Sequence, residues 1–219
     1  MTLIPYGSKS WLVQWDSREA CDQVAPFLMQ GLEDSPPEDF LEYISGYQTL
    51  LLIFISPVTQ AKLLTYLNTL TGQKGVAEPK ARHLEIPVTY NGPDLSYVAE
   101  THQMTCQEVI LRHSEPSYTV YFMGFSPGFP YLGPLDTLLH TPRRKSPRTR
   151  IPQGAVAIGG SHTGIYSVDS PGGWNIIGHT SYPLFQLAHA KNNSDATRNI
   201  FSLHPGDHVK FVPQLPDAL

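Results

Sequence analysis

Apolar and polar residues along this chain follow two rhythms. In the first eighty residues short apolar runs alternate with helical stripes; from Tyr118 onward the helical period disappears and short β runs separated by Gly and Pro take over. Residues 11–15 read as a short strand. Ser17 is placed to cap a following helix with Ala20, Val24, Phe27, Leu28 and Leu32 at helical spacing and Gly31 near its end. The stretch 40–55, broken at Ser45-Gly46, gives two strands, and its run 50–55 is apolar at every position, as in a buried central strand. Ser56-Pro57 supplies a cap and first-turn proline for a helix with Leu63, Leu64, Leu67 and Leu70, ending at Gly72. A strand at 83–90 follows. Strand, helix, two strands, helix and strand is the element order of a ferredoxin-like α/β sandwich.

The polar stretch 71–80, with Gly72, Gly75 and Pro79, reads as an interdomain linker and sets the boundary near residue 82. This divides the chain into 1–82, an α/β domain, and 83–219, a β domain. In the second part Pro93-Asp94 opens a short helix to about His102. Thr105 and Glu108 form a capping box for another helix carrying Val109, Ile110 and Leu111. The β runs 118–123, 155–158, 164–168, 174–177 and 208–212 then predict a small closed or nearly closed barrel. The fold class is therefore α+β.

Composition narrows the function classes. With 41% hydrophobic residues, 16% charged residues and a net charge of −4, the chain has the make-up of a globular protein and no global bias toward nucleic acid. The longest apolar run is far shorter than a membrane helix needs, and the N-terminus lacks a signal-peptide layout, so a cytosolic location is expected. Cys21 and Cys106 are too few for a disulfide framework and are expected to be reduced; the nine histidines are scattered, so no metal site is expected.

Three segments can carry chemistry. The loop Gly124-Phe125-Ser126-Pro127-Gly128-Phe129-Pro130-Tyr131 has a fixed path that either buries its aromatics or presents them. The run 142–150 holds Arg143, Arg144, Lys145, Arg148 and Arg150, five of the fifteen basic residues, without an acid. It reads either as a solvated face or as an anion site built from arginine forks. Glycine pairs beside Ser161, His162, Thr163 and Tyr166, and around Trp174 and Gly178-His179-Thr180, either expose backbone N–H groups to an anion or form plain turns. No phosphate loop, dinucleotide fingerprint, nucleophile elbow or zinc-protease motif occurs.

The segments GFSPGFPYLGPLD, TPRRKSPRTRIPQGAVAIGG, SHTGIY, SPGGWNIIGHT and HPGDHVKFVP together resemble the family containing the B subunit of 5-oxoprolinase, the kinase A inhibitor of sporulating bacteria and the first subunit of allophanate hydrolase. The resemblance runs nearly the whole chain, more weakly at the N-terminal side, where it includes Gly46-Tyr47-Gln48-Thr49-Leu50-Leu51. It implies an N-terminal α/β domain and a C-terminal cyclophilin-like barrel. Many members are similar to one another in having Gln-Thr-Gly-Ile-Tyr and Gly-Arg-Thr. Here His179 resembles the oxoprolinase branch, while His162 departs from both patterns.

The resemblance implies a hydrolase component that is active only in a complex. In that complex the B and C subunits use ATP to activate 5-oxoproline by phosphorylation, and the A subunit completes ring opening to L-glutamate; Mg²⁺ is expected with the transferred phosphates. On this reading Arg143 and Arg148 hold a carboxylate or phosphate. His162, Thr163 and His179 line the same mouth beside Tyr166, and Phe125, Tyr131 and Trp174 form an apolar wall. His179 is the candidate for proton transfer. The C subunit is expected to dock on the barrel through the aromatic loop at 125–132. The family also offers two alternatives, a non-enzymatic inhibitor of a sensor histidine kinase and a component of the allophanate hydrolase or urea carboxylase type.

Overall fold

The computed structural model describes residues 1–71, 81–185 and 200–214, and the expected linker at 71–80 lies, beyond Thr71, outside them. The chain divides into two compact units, Met1–Ala81 and Arg82–Leu219.

The first unit contains β1 (Thr2–Pro5), β2 (Ser10–Gln14), α1 (Arg18–Asp34), β3 (Phe40–Ser45), β4 (Thr49–Phe54) and α2 (Gln60–Thr71). The hydroxyl of Ser17 accepts from the Ala20 N–H at 3.1 Å, and α1 buries Cys21, Ala25, Leu28 and Leu32, a single helical face. Ser56 is not the cap of α2. Its hydroxyl donates to Asp39, and Thr59 Oγ1 instead accepts from the Lys62 N–H at 3.3 Å.

The sheet order is β1-β2-β4-β3, antiparallel throughout. The expected ferredoxin-like order is thus corrected at its last strand: the fourth position is filled by Thr2–Pro5, a hairpin partner of β2, and residues 83–89 belong to the other unit. The central strand β4 is also less enclosed than its unbroken apolar run suggested. Leu50, Leu52 and Phe54 are buried in the core, whereas Leu51 and Ile53 are only partly covered.

The second unit contains β5 (His83–Thr89), α3 (Leu95–Thr101), α4 (Cys106–Ser114), β6 (Ser117–Met123), β7 (Pro130–Gly133), β8 (Arg148–Ile151), β9 (Ala155–Gly159), β10 (His162–Ile165), β11 (Ser170–Gly172), β12 (Asn175–His179) and β13 (His208–Gln214). Thr105 and Glu108 form the predicted capping box at the start of α4. Seven strands close a barrel in the order β10-β7-β6-β13-β5-β12-β9. Every pairing is antiparallel except β5 with β13. The α+β class and the closed barrel agree with the expected architecture.

All seven strands contribute to one core, including Val88, Val120, Leu132, Val156, Ile158, Ile165, Ile177 and Phe211, so this core is the barrel interior. Side chains alternate across a strand, so Ala155, Ala157 and Ile176 face outward. They form a second cluster with Phe129, Ile151, Tyr166 and Trp174, beneath the antiparallel ribbon of β8 and β11. That outer-face cluster positions the site. Among the described residues no helix is long and apolar enough to cross a membrane, and Cys21 and Cys106 are free thiols.

Candidate functional site

The loop before β7 closes on itself: the Gly124 N–H donates to the Phe129 carbonyl at 3.1 Å, and the Phe129 N–H donates to the Ser126 carbonyl at 3.1 Å. Phe125 sits at φ 67°, a left-handed conformation uncommon for an aromatic residue, and is 58% exposed while Phe129 is buried. Both alternatives for this loop therefore hold, at different residues. Phe129 anchors it, and Phe125 is presented.

Phe129 is the hub of the outer-face aromatics, with ring centroids 5.2 Å from Tyr131, 5.2 Å from Tyr166 and 5.4 Å from Trp174. Tyr131 packs edge-on to Trp174 at 5.6 Å and lies 6.3 Å from His162; Phe125 lies 6.1 Å from Tyr166. These separations suit edge-to-face packing. Gly159 allows the indole of Trp174 to lie flat on β9, since a Cβ there would stand 2.5 Å from the ring. Burial pushes the Tyr166 hydroxyl up in pKa, against the opposing pull of the Trp174 backbone N–H and the charges of Arg143 and Arg148. Tyr166 is consequently a neutral hydrogen-bonding group near pH 7.

The basic run divides by function. Arg143 is exposed, with its guanidinium carbon 5.8 Å from the centroid of Trp174, and it makes no hydrogen bond or ion pair with any described residue. Arg150 pairs at the surface with Asp169. Arg144 and Arg148 turn to Asp94, a carboxylate buried to 3% exposure. The fork of Arg148 grips both oxygens, at 2.8 and 2.9 Å, and Arg144 Nη1 adds a third bond at 2.7 Å. The expectation that Arg148 offers its fork to a ligand is therefore corrected: its two parallel hydrogen bonds are made within the protein. Burial of Asp94 opposes its charge, but the Arg148 fork, the Ile176 N–H and the two guanidinium charges outweigh it and hold the carboxyl below its ordinary range.

Two other candidates lie elsewhere. Thr163 is fully buried with its hydroxyl in the barrel interior, donating to the Ala157 carbonyl at 3.1 Å and lying 2.7 Å from His113 Nε2. It does not line a mouth. On the other side of this imidazole, the Tyr90 hydroxyl lies 2.7 Å from His113 Nδ1. A proton on Nε2 satisfies the whole chain: Tyr90 donates to Nδ1, Nε2 donates to Thr163, and Thr163 donates to Ala157. Burial alone lowers His113 from 6.5 to about 3, so it is neutral. His179 is exposed, with Nε2 3.1 Å from the Gln153 carbonyl. It ends β12 while Trp174 precedes it, and five residues at about 3.3 Å each separate them by ~16 Å.

The structure thus brings together Phe125, Tyr131, His162 and Arg143 over Tyr166 and Trp174, which are buried beneath them, and leaves Arg148, Thr163 and His179 outside the group. Asp94 and His113 were missed as functional candidates. Pro93-Asp94 gave a helix-start signal and no more, and His113 carried no sequence signal beyond its place in a helix.

Residues 1–194 match the carboxyltransferase domain family, subdomain C and D, and the chain belongs to that family. Among its relatives are the 5-oxoprolinase B subunits of Haemophilus influenzae, 46% identical over 178 residues, and of Escherichia coli O157:H7, 42% identical over 191 residues. These alignments cover 80% of this chain and 80% of the first protein, and 85% and 83% for the second. The crystal structure of TTHA0988 superposes with a TM-score of 0.79 at 32% identity, covering 95% of this chain and 40% of that one.

Proposed function

We propose that this chain is the B subunit of an ATP-dependent 5-oxoprolinase and helps to activate 5-oxoproline by phosphorylation for ring opening to L-glutamate, together with the C and A subunits. Its 46% identity to a 5-oxoprolinase B subunit over 80% of both chains supports the activity. The observation that carries the site is the guanidinium of Arg143 on the face of Trp174, with no polar partner among the described residues. 5-Oxoproline is a flat lactam bearing a carboxylate. Arg143 offers a fork for that carboxylate, and the exposed Phe125 and partly buried Tyr131 offer apolar surface for the ring, while Trp174 and Tyr166 lie buried beneath and support them. A lactam oxygen is a weak nucleophile, so its phosphorylation depends on positioning more than on any single group.

Among the described residues no group of three or more His, Cys, Asp or Glu side chains is arranged to hold a metal ion. One guanidinium does not make a nucleotide cradle. We therefore assign neither Mg²⁺ nor ATP to this chain and derive no step through them.

The test is glutamate formation from 5-oxoproline by the reconstituted complex, with each component omitted in turn. We expect product only when this chain and its partners are present together with ATP. Full activity of the mixture lacking this chain would overturn the proposal.

A further inference from the structure

We infer that Asp94 is the positioning residue of the Arg143–Trp174 site, holding the arginine and the indole in register from beneath. The inference rests on the reading of that site given above.

Asp94 joins the three segments that meet there. Its own N–H donates to the Ile176 carbonyl at 2.9 Å, and its Oδ2 accepts from the Ile176 N–H at 2.7 Å. A side-chain oxygen thereby takes the place of a backbone partner along β12, two residues from Trp174 and next to the irregular register between Ile176 and Gly178. The same carboxylate accepts from Arg144 and Arg148, on either side of Pro147 in the basic run. Arg144 is adjacent to Arg143, and its N–H donates to the Gly173 carbonyl at 2.7 Å, adjacent to Trp174. Just before Arg143, the Pro142 carbonyl accepts from Asn175 Nδ2 at 2.9 Å.

Arg143 itself has no polar partner among the described residues, so the direction of its side chain is inherited from these neighbours. Its flanking residues are tied to Gly173, Asn175 and, through Asp94, Ile176. Of these groups, Asp94 alone contacts both the basic run and β12 with four hydrogen bonds to a single carboxylate. Without its charge, two guanidinium groups lose their shared acceptor and the run is free to move relative to the indole. A displaced Arg143 fork meets the carboxylate less well, and the loss is read in KM rather than in kcat.

The test compares Asp94→Asn, Arg144→Gln and Arg143→Ala in the reconstituted complex. The readouts are KM for 5-oxoproline, kcat at saturating substrate, and thermal unfolding. Arg144→Gln leaves the Arg148–Asp94 pair in place and serves if Asp94→Asn does not fold. We expect Arg143→Ala to raise KM by about tenfold or more, as the loss of a charge-assisted fork should. Asp94→Asn and Arg144→Gln should raise KM severalfold with kcat changed by less. If Arg143→Ala leaves KM unchanged, the site reading fails. If Arg143→Ala raises KM while the folded Asp94→Asn and Arg144→Gln proteins keep the wild-type value, the site stands and the inference about Asp94 is overturned. A fall in melting temperature with no change in KM has the same meaning and marks Asp94 as a structural staple.

Discussion

Arg143 and Arg148, five positions apart in one basic run, meet opposite fates: Arg143 lies over Trp174 without a polar partner among the described residues, and Arg148 is locked by two hydrogen bonds to Asp94. Their substitutions should separate. Arg143→Lys should impair the assembled enzyme nearly as much as Arg143→Ala, because an ammonium point charge cannot make two parallel bonds to a carboxylate. Neither change should shift the melting temperature. Wild-type turnover by Arg143→Lys would show that the guanidinium geometry is not used.

Arg148→Ala should act through stability. Hydrogen bonds to a charged group contribute about 1.5–3 kcal/mol, so urea unfolding of the barrel should show a loss of roughly that size. Arg148→Lys, which keeps the charge, should lose less. An unchanged unfolding midpoint for Arg148→Ala would contradict the role of the fork.

Asp94 gives this stabilisation a pH dependence. Its folded pKa lies below the ordinary 3.8, so the contribution is fully present above that value and is lost as pH falls through the folded one. His113 acts over a higher range. Its folded pKa of about 3 lies below the unfolded 6.5, so the unfolded chain gains a proton first as pH drops. Stability should fall between those two values by up to ~1.4 kcal/mol per pH unit. Comparing unfolding at pH 7 and pH 5, the difference should shrink in His113→Gln, which can still donate and accept. An identical difference in both proteins would reject this assignment.

His179 should tolerate replacement. Its exposed bond to the Gln153 carbonyl and its distance from Trp174 give it no part in the aromatic site. His179→Asn should keep turnover of the complex within about twofold and change stability by less than ~0.5 kcal/mol. A large fall in turnover at unchanged melting temperature would restore His179 as a proton-transfer group.

Gly159→Ala should be more damaging than its size suggests. The added methyl group would collide with the indole, so Trp174 must leave its seat against β9. We expect lower stability, by about 1–3 kcal/mol, and weaker substrate binding together. Retention of both would show that the ring has another seat of equal quality.

Local signals were legible in the sequence where the physics is local. Ser17 and Thr105 cap the helices that their neighbours predicted, and the β run 118–123 falls within β6, whose Tyr118 and Val120 enter the barrel. Non-local pairing was not legible. Thr2–Pro5 is too short to show a period, so it was missed, and 83–90 was given its place in the sheet order. Gly164–Val168 was expected as a strand, but pairing with β9 sets β10 at His162–Ile165, and Tyr166 turns outward to the aromatic cluster. The tie between Asp94 and Arg148 spans 54 positions, and nothing in the basic run announces an acid folded beneath it. The resemblance gave Arg143 and Trp174 roles at one site, but neither segment announced that the guanidinium lies over the indole.

The one parallel pairing in the barrel sets an order of events during synthesis. β5 aligns along its whole length with β13, from His83 beside His208 to Thr89 beside Gln214. A ribosome must therefore release more than 120 further residues after His83 before the ring of strands can shut, whereas the sheet of the first unit has all its strands by Phe54. Until then β5 and β6 each present an unsatisfied edge, the kind of surface that recruits foreign strands. The second unit therefore keeps these edges open until its last strand arrives, and any partner that reads the closed outer face must wait for it.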